Sequence, residues 1–546
     1  MFIRSSFSPS SAASGYEVSG MNTRSARTVS CPQVNPIHRP NPGWIYRSLG
    51  VEPLINCAGV RTSYGGCNPS ERVLDAMRAA AEAFVDIEEL NDCVGRELAK
   101  LTGAQWGFIS AGSAAGITLA VAGAIAGNDP EKMVMLPHNT GKTVIIPHDN
   151  RTAYEAAIRA AGADIRIASS SEEIKRIAAR RNAAAIFLVR SAISASSVEY
   201  SRICEIGRRF NIPIIVDAAG SAPQFPDQLL SSGASITIYS IGKYLRGPQS
   251  TGLVLGCEAL CRAAYRNGPP FQSFGRSLKV GKDEIVGAYV AIHDWVESSR
   301  RQQWTVEWLD HLTIIEQAVR ELPGVQAKIA PADDIFHNPR LQIILDKDLT
   351  PVTGFEIAER LRSGEPRIVL NDYSIREQSF FVDPANLSAG EPEVVAEALV
   401  EVITNTVPPT KVSLGRPVQD ISGEWLLDIT FSVGSGIHRL ELETSGNEVR
   451  GVHYGERHSG ACLGKIDGTQ IELRSKLAAA PMDLYYHFAG RIGTTELAGT
   501  VQMGAATATH AGGEISSGLS FKRQYGTADW KAVRTSGAQT IKEAHA

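Results

Sequence analysis

Between residues 107 and 256 the chain alternates short apolar runs with stretches of helical character. The runs at 107–110, 143–147, 164–168, 184–189, 213–217, 235–239 and 252–256 are rich in Ile, Val, Leu and Ala. Most are continuous rather than alternating, which marks strands buried on both faces. Stretches such as 153–161, 171–179 and 200–210 lie between them and suit helices. Doubly buried strands separated by helices assemble as a mostly parallel sheet with helices on both sides. The expectation is an α/β fold with a seven-stranded sheet. Its chemistry belongs at the carboxyl ends of the strands, where open sheets of this kind bind ligands.

The remainder divides by pattern. Residues 1–45 are rich in Ser, Asn and Pro and poor in acids, a composition expected of a disordered extension. They lack the apolar core of a secretory signal. The large domain is expected over 46–270, with a helical arm at 70–101. Residues 271–406 read as a smaller α+β domain. It begins with a long helical stretch whose apolar positions include Trp304, Trp308, Leu312 and Ile315. Strands at 341–345, 368–370 and 379–382 and helices at 354–362 and 391–403 follow. A Pro-rich linker is expected at 407–417, and a loose tail at 536–546. Between them, 418–535 carries short alternating runs separated by Gly-containing turns, the pattern of an antiparallel all-β barrel or sandwich.

Composition removes several classes of function. The net charge of −4 offers no electrostatic footprint for nucleic acid or anionic membrane. No apolar stretch approaches the roughly 20 residues of a membrane-spanning helix. The eight cysteines are scattered, with no zinc-like pairing, so no metal is expected and a reduced, cytoplasmic protein is the simplest reading. His453 and His458, in the β region, read as surface residues.

Two residues carry the chemistry. Asp217 closes the run Ile214-Ile215-Val216, and Lys243 follows the run that ends at Tyr239, 26 positions later. Both belong at strand ends of one sheet. A partly desolvated lysine is a nucleophile, and a nearby carboxylate holds a pyridine nitrogen protonated. That pairing suits pyridoxal phosphate, held by Lys243 as a Schiff base. Ser110-Ala111-Gly112-Ser113-Ala114-Ala115-Gly116 joins a strand to an apolar helix. Gly112, Ser113 and Ala114 there can bring free backbone N–H groups to a phosphate. Ser240 can add a hydroxyl. His148, at the end of the 143–147 run, can stack on the pyridine and shuttle a proton.

The Asp217-Ala218-Ala219 and Ser240-x-x-Lys243 arrangements resemble the fold-type I pyridoxal-phosphate superfamily. There Asp217 and Ala219 contact the cofactor and His148 stacks on it. The stretches 50–59, 111–116, 242–252 and 386–391 are similar to the selenocysteine synthase-like group that includes D-glucosaminate-6-phosphate ammonia-lyase. The resemblance spans roughly 46–405. It implies a homodimer or larger homo-oligomer with active sites at subunit boundaries, and a small amino-acid-like substrate. Asn371 stands about where some relatives carry a carboxylate-binding arginine, so Arg246 and Arg376 are the alternative substrate-binding candidates. The tRNA-binding helical domain of a true selenocysteine synthase is missing, and the β region is foreign to the usual architecture.

These residues lead to a pyridoxal-phosphate-dependent lyase of the ammonia-lyase or dehydratase type, acting on a hydroxylated amino acid or amino-sugar acid. Lys243 is its general base. A racemase and an aminotransferase share the same carbanion and stay open. A selenium transferase is disfavoured by the acidic balance. A non-catalytic, cofactor-binding regulator is disfavoured because no basic recognition helix is present.

Overall fold

The computed structural model describes residues 43–333, 337–405, 414–507 and 525–535. Most of the expected N-terminal extension, the Val407-Pro408-Pro409 part of the expected linker, residues 508–524 of the expected all-β region and the C-terminal tail lie outside these residues. By contacts the chain divides into a short unit ending at Pro53 and a large unit from Leu54 onward. In the first, Trp44–Ser48 forms one short helix.

In the large unit the strands are β1 (Leu54–Cys57), β2 (Trp106–Ser110), β3 (Thr143–Pro147), β4 (Asp164–Ala168), β5 (Ala183–Val189), β6 (Ile214–Asp217), β7 (Ile236–Ser240) and β8 (Gly252–Gly256). β2 to β8 form one seven-stranded sheet in the order β2-β8-β7-β6-β5-β3-β4. β4, β3, β5, β6 and β7 run parallel, while β8 is antiparallel to both β7 and β2. The expected fold class is therefore present, with one reversed strand. A run buried on both faces looks the same in either direction, so its sequence carries no sign of this reversal. β4 is one of the two edge strands and, unlike the buried β2, is half exposed, which explains the charged Asp164 and Arg166 within it.

One face of the sheet packs on the helix Ser113–Ala126, apolar on every side and almost wholly buried. Part of the other face packs on the helix Lys282–Val296. The long helical stretch breaks at Glu297, and a second helix, Ser298–Val319, follows. Trp308, Leu312 and Ile315 are buried, as their spacing requires.

β9 (Val325–Ala330), β10 (Arg340–Leu345) and β12 (Ser379–Val382) form a three-stranded antiparallel sheet in the order β12-β10-β9. β11 (Arg367–Leu370) instead pairs in parallel with β1. That pairing brings the segment after β1 against the loop after β11.

Eight strands between Gly423 and Arg534 form a closed barrel of consecutive antiparallel neighbours. Its strands are β13 (Gly423–Thr430), β14 (Ser435–Ser445), β15 (Glu448–Tyr454), β16 (Ser459–Asp467), β17 (Gln470–Ala479), β18 (Met482–Ile492), β19 (Glu496–Thr507) and β20 (Thr527–Arg534). Alternate residues point inward, and Trp425, Phe488 and Trp530 fill the interior. Closure removes the exposed strand edges that an open sheet of this length would leave. His453 is fully buried in this interior, contrary to its expected surface position; His458 is exposed. Among the described residues no helix is long and apolar enough to cross a membrane.

Candidate active site

β6 ends at Asp217, and its neighbour β7 pairs Ile238 beside it. The chain leaves β7 at Ser240 and makes a tight turn. Ile241 N–H donates to Thr251 O and Gly247 N–H to Ile241 O. A Cβ on Gly242 would sit 2.4 Å from Gln249 Cα, so only glycine fits. Arg246 takes a left-handed backbone with φ of 52°. This turn holds Lys243, largely buried, at the carboxyl edge of the sheet.

Asp217 is 6% exposed and its Oδ1 accepts from Ala219 N–H at 2.9 Å. Burial raises its carboxyl above the usual range, against that hydrogen bond and the Lys243 charge. Lys243 is shifted the other way. Burial lowers its ammonium, the Asp217 charge opposes this, and the Arg61 charge adds to the lowering. The acid and the amine expected to act together thus lie within each other's field, in a site dry enough to perturb both.

A candidate phosphate cradle lies at the same edge of the sheet. Ser110, at the end of β2, faces Gly252 at the start of β8. Gly112 has φ of 83° and starts the helix at Ser113 with no side-chain cap among the described residues, so the first N–H groups lack an intrahelical partner. A Cβ on Gly252 would lie 2.5 Å from Gly112 C and 2.6 Å from Ser113 N. Glycine is needed there for the helix start to approach the lysine turn. Ser240, paired with Gly252, stands at the same edge.

The remaining candidates separate. His148 follows β3, two strands beyond β6, with its ring exposed. Asn371 is buried and accepts from Arg61 Nη2 and from Tyr373 N–H. Arg376 is exposed and donates to the carbonyls of Tyr373 and Ile375, bracing its own loop. Arg246 donates to Asn68 O at 3.3 Å and lies over the Trp304 ring at 5.4 Å.

The cation that reaches Lys243 is instead Arg61, from the segment after β1. Its guanidinium sits 3.9 Å over the Tyr373 ring, and burial lowers its pKa. Tyr154 stands within the fields of both Asp217 and Arg61. Sequence reasoning missed these residues. Arg61 lies in a loop, and only the β1–β11 pairing brings it to the site. The Asn371 position, read as the place of a lost arginine, was the available signal.

The donor set fits pyridoxal phosphate. The structure offers a desolvated amine, a buried acid that a cationic ring nitrogen would satisfy, and an uncapped helix start for the phosphate. No protein-family model matches the chain. The chain is 29% identical over 375 residues to the 5′-C-glycyluridine monooxygenase-decarboxylase of Streptomyces sp, covering 66% of this chain and 92% of that protein. It is 27% identical over 373 residues to the D-glucosaminate-6-phosphate ammonia lyase of Salmonella typhimurium (strain 14028s / SGSC 2262), covering 66% of this chain and 97% of that one. A solved structure of D-glucosaminate-6-phosphate ammonia-lyase superposes with a TM-score of 0.59 at 26% identity, over 67% of this chain and 99% of the other. Fold, donor set and relatives agree that the chain is a pyridoxal-phosphate-dependent enzyme with a fold-type I architecture, similar to the ammonia lyases and carrying a C-terminal eight-stranded barrel besides.

Proposed function

We propose that the enzyme is a lyase that eliminates the α-proton and the β-hydroxyl of a hydroxylated amino acid or amino-sugar acid as water, after which hydrolysis of the resulting enamine releases ammonia and a 2-keto product. The observation that carries this is the buried acid–amine pair Asp217–Lys243 at adjacent strand ends, in a chain whose relatives include an ammonia lyase. Pyridoxal phosphate, when bound, supplies an electron sink for a carbanion at the substrate α-carbon.

The chain's own residues do the rest. Lys243 would hold the cofactor through its Nζ. Its Nζ, with a lowered pKa, takes the α-proton as general base. Asp217 keeps the ring nitrogen protonated. The free N–H groups at Ser113 and Ala114, with the backbone of Gly112 and the hydroxyl of Ser240, hold the phosphate. Ala219 locks the Asp217 carboxylate through its N–H. His148 stacks on the ring from the β3 side.

Arg61 takes the substrate carboxylate, oriented by Asn371 and the Tyr373 ring. This assigns to Arg61 the role considered for Arg246 and Arg376. The working form is a homodimer or larger homo-oligomer, cytoplasmic, with a small-molecule substrate.

The test is product analysis with a panel of β-hydroxy amino acids and amino-sugar acids. Ammonia and a 2-keto product, formed without a keto acceptor, are expected. Strict acceptor dependence, or inversion at the α-carbon alone, contradicts the lyase. A second reading, oxidative decarboxylation, is favoured by the 29% identity to a monooxygenase-decarboxylase. It requires dioxygen uptake and carbon dioxide release, and anaerobic turnover rules it out.

A further inference from the structure

The side chains of β6 and β7 divide between the two faces of the sheet. Ile215 and Ile238 pack under the helix Ser113–Ala126, and Asp217 shares the phase of Ile215. Tyr239 points to the opposite face, into the core under the helix Lys282–Val296. On that opposite face, at the same carboxyl edge, lies a cavity of about 900 Å³ bounded by the ends of β5, β6 and β7 and by the helix Ser298–Val319. Lys243, Asp217 and Arg61 are not among its lining residues. Its size is within the range of small-molecule sites.

The walls are aromatic and cationic. Trp295 and Trp304 present rings 6.0 Å apart, tilted by 31°. The Arg301 guanidinium lies 5.7 Å over Trp295, and its buried Nε has no hydrogen-bond partner among the described residues. Arg190, directly after β5, enters the cavity from the other side. Neither arginine has an ion pair among the described residues. The carboxylate nearest by position, Asp227, is already committed: it accepts from Thr237 Oγ1, Tyr239 Oη and the N–H groups of Leu229 and Leu230. Asp333, also in the lining, has its carboxylate 3.8 Å from Arg340. Among the described residues neither guanidinium has an ion pair, and both line the cavity with Trp304 and the buried Trp295. Indole faces favour flat rings, and guanidinium favours carboxylate or phosphate.

We propose that this cavity is a second binding site, separate from the cofactor site, that takes a planar anion: an aromatic ring bearing a carboxylate or a phosphate. The ring lies against Trp304, backed by the buried Trp295, and the anionic group bridges Arg190 and Arg301. Recognition needs both parts, so neither a neutral ring nor a bare anion binds as well.

The experiment is a fluorescence titration of the cofactor-loaded full chain, excited at tryptophan. Its two arms are adenosine 5′-monophosphate and 4-hydroxybenzoate, with adenosine and inorganic phosphate as controls. The expected result is saturable quenching by at least one arm, with each control weaker by about tenfold or more. Cofactor absorbance stays unchanged. Arg190→Met with Arg301→Met weakens binding by about tenfold or more and leaves the cofactor spectrum intact. Should the double variant fail to fold, Arg190→Gln alone carries the same expectation. No saturable quenching in either arm, equal affinity in the arginine variants, or binding only at the expense of the cofactor would overturn the proposal.

Discussion

Lys243 sits between two opposing charges, and that balance sets its chemistry. Burial and Arg61 lower its ammonium; Asp217 raises it. Replacing Arg61 with Met removes one lowering influence, so the lysine titration seen in the cofactor-free protein moves to higher pH. With cofactor bound, the same variant raises KM for the amino-acid substrate more than it changes kcat. A fall in the lysine pKa, or an unaltered KM, would count against Arg61 as a neighbour of the reacting amine. Asp217→Asn keeps the shape of the carboxylate but not its charge, and turnover should drop by about 100-fold or more. The placement of Lys243, Asp217, Gly112 and Ser240 at one edge of the sheet was readable from the sequence because strand ends are readable. Arg61 and Tyr154 were not, since their place depends on partners far along the chain. His453 could have been placed: counted along β15 from buried Val449, its phase points inward.

The helix Ser113–Ala126 and the turn before β8 act as one element. Gly252 is the contact that lets the helix start reach the lysine turn. Gly252→Ala should weaken cofactor affinity by about tenfold, read by absorbance titration, because a Cβ pushes the N–H groups away from the phosphate. Unchanged affinity would mean the phosphate lies elsewhere. The seven runs of the main sheet were visible in the sequence as strands. The reversal of β8 and the β1–β11 pairing were not, because apolar content reports burial and not direction. In the barrel, alternation announced the strands, but not the buried polar chain of His438, His453 and Ser475 inside it. His438 Nδ1 lies 2.8 Å from His453 Nε2, and His453 Nδ1 lies 2.7 Å from Ser475 Oγ. Burial lowers His453 from its ordinary 6.5 to about 3, with His438 adding to the shift, and burial lowers His438 as well. Above pH 6.5 both the folded and unfolded forms are neutral at His453. Below it the unfolded chain takes up a proton that the folded barrel refuses. Barrel stability should therefore fall as pH drops from about 6.5 toward 3, followed by acid titration of tryptophan fluorescence. His453→Phe should flatten that dependence, and a profile unaffected by the substitution would refute the buried-imidazole origin.

Across the molecule, catalysis and the barrel are expected to separate. The relatives cover 92–99% of their own lengths on 66–67% of this chain, which leaves a remainder the size of the barrel and the N-terminal segment together. A chain cut within 407–417 should therefore keep cofactor absorbance and turnover within a few-fold; loss of both would make the barrel part of the site. The two architectures were legible from the change of sequence style near residue 410, where continuous apolar runs give way to short alternating ones. The cavity on the far face of the sheet was not, because it is assembled from the ends of three strands and a helix remote in sequence. The account as a whole depends on Lys243 holding the cofactor. Borohydride reduction of the cofactor-loaded protein, followed by peptide mass spectrometry, tests this directly. The predicted result is a single pyridoxyl-phosphate mass increment on the peptide containing Lys243, absent in Lys243→Ala. A label on another lysine, or none, would contradict it.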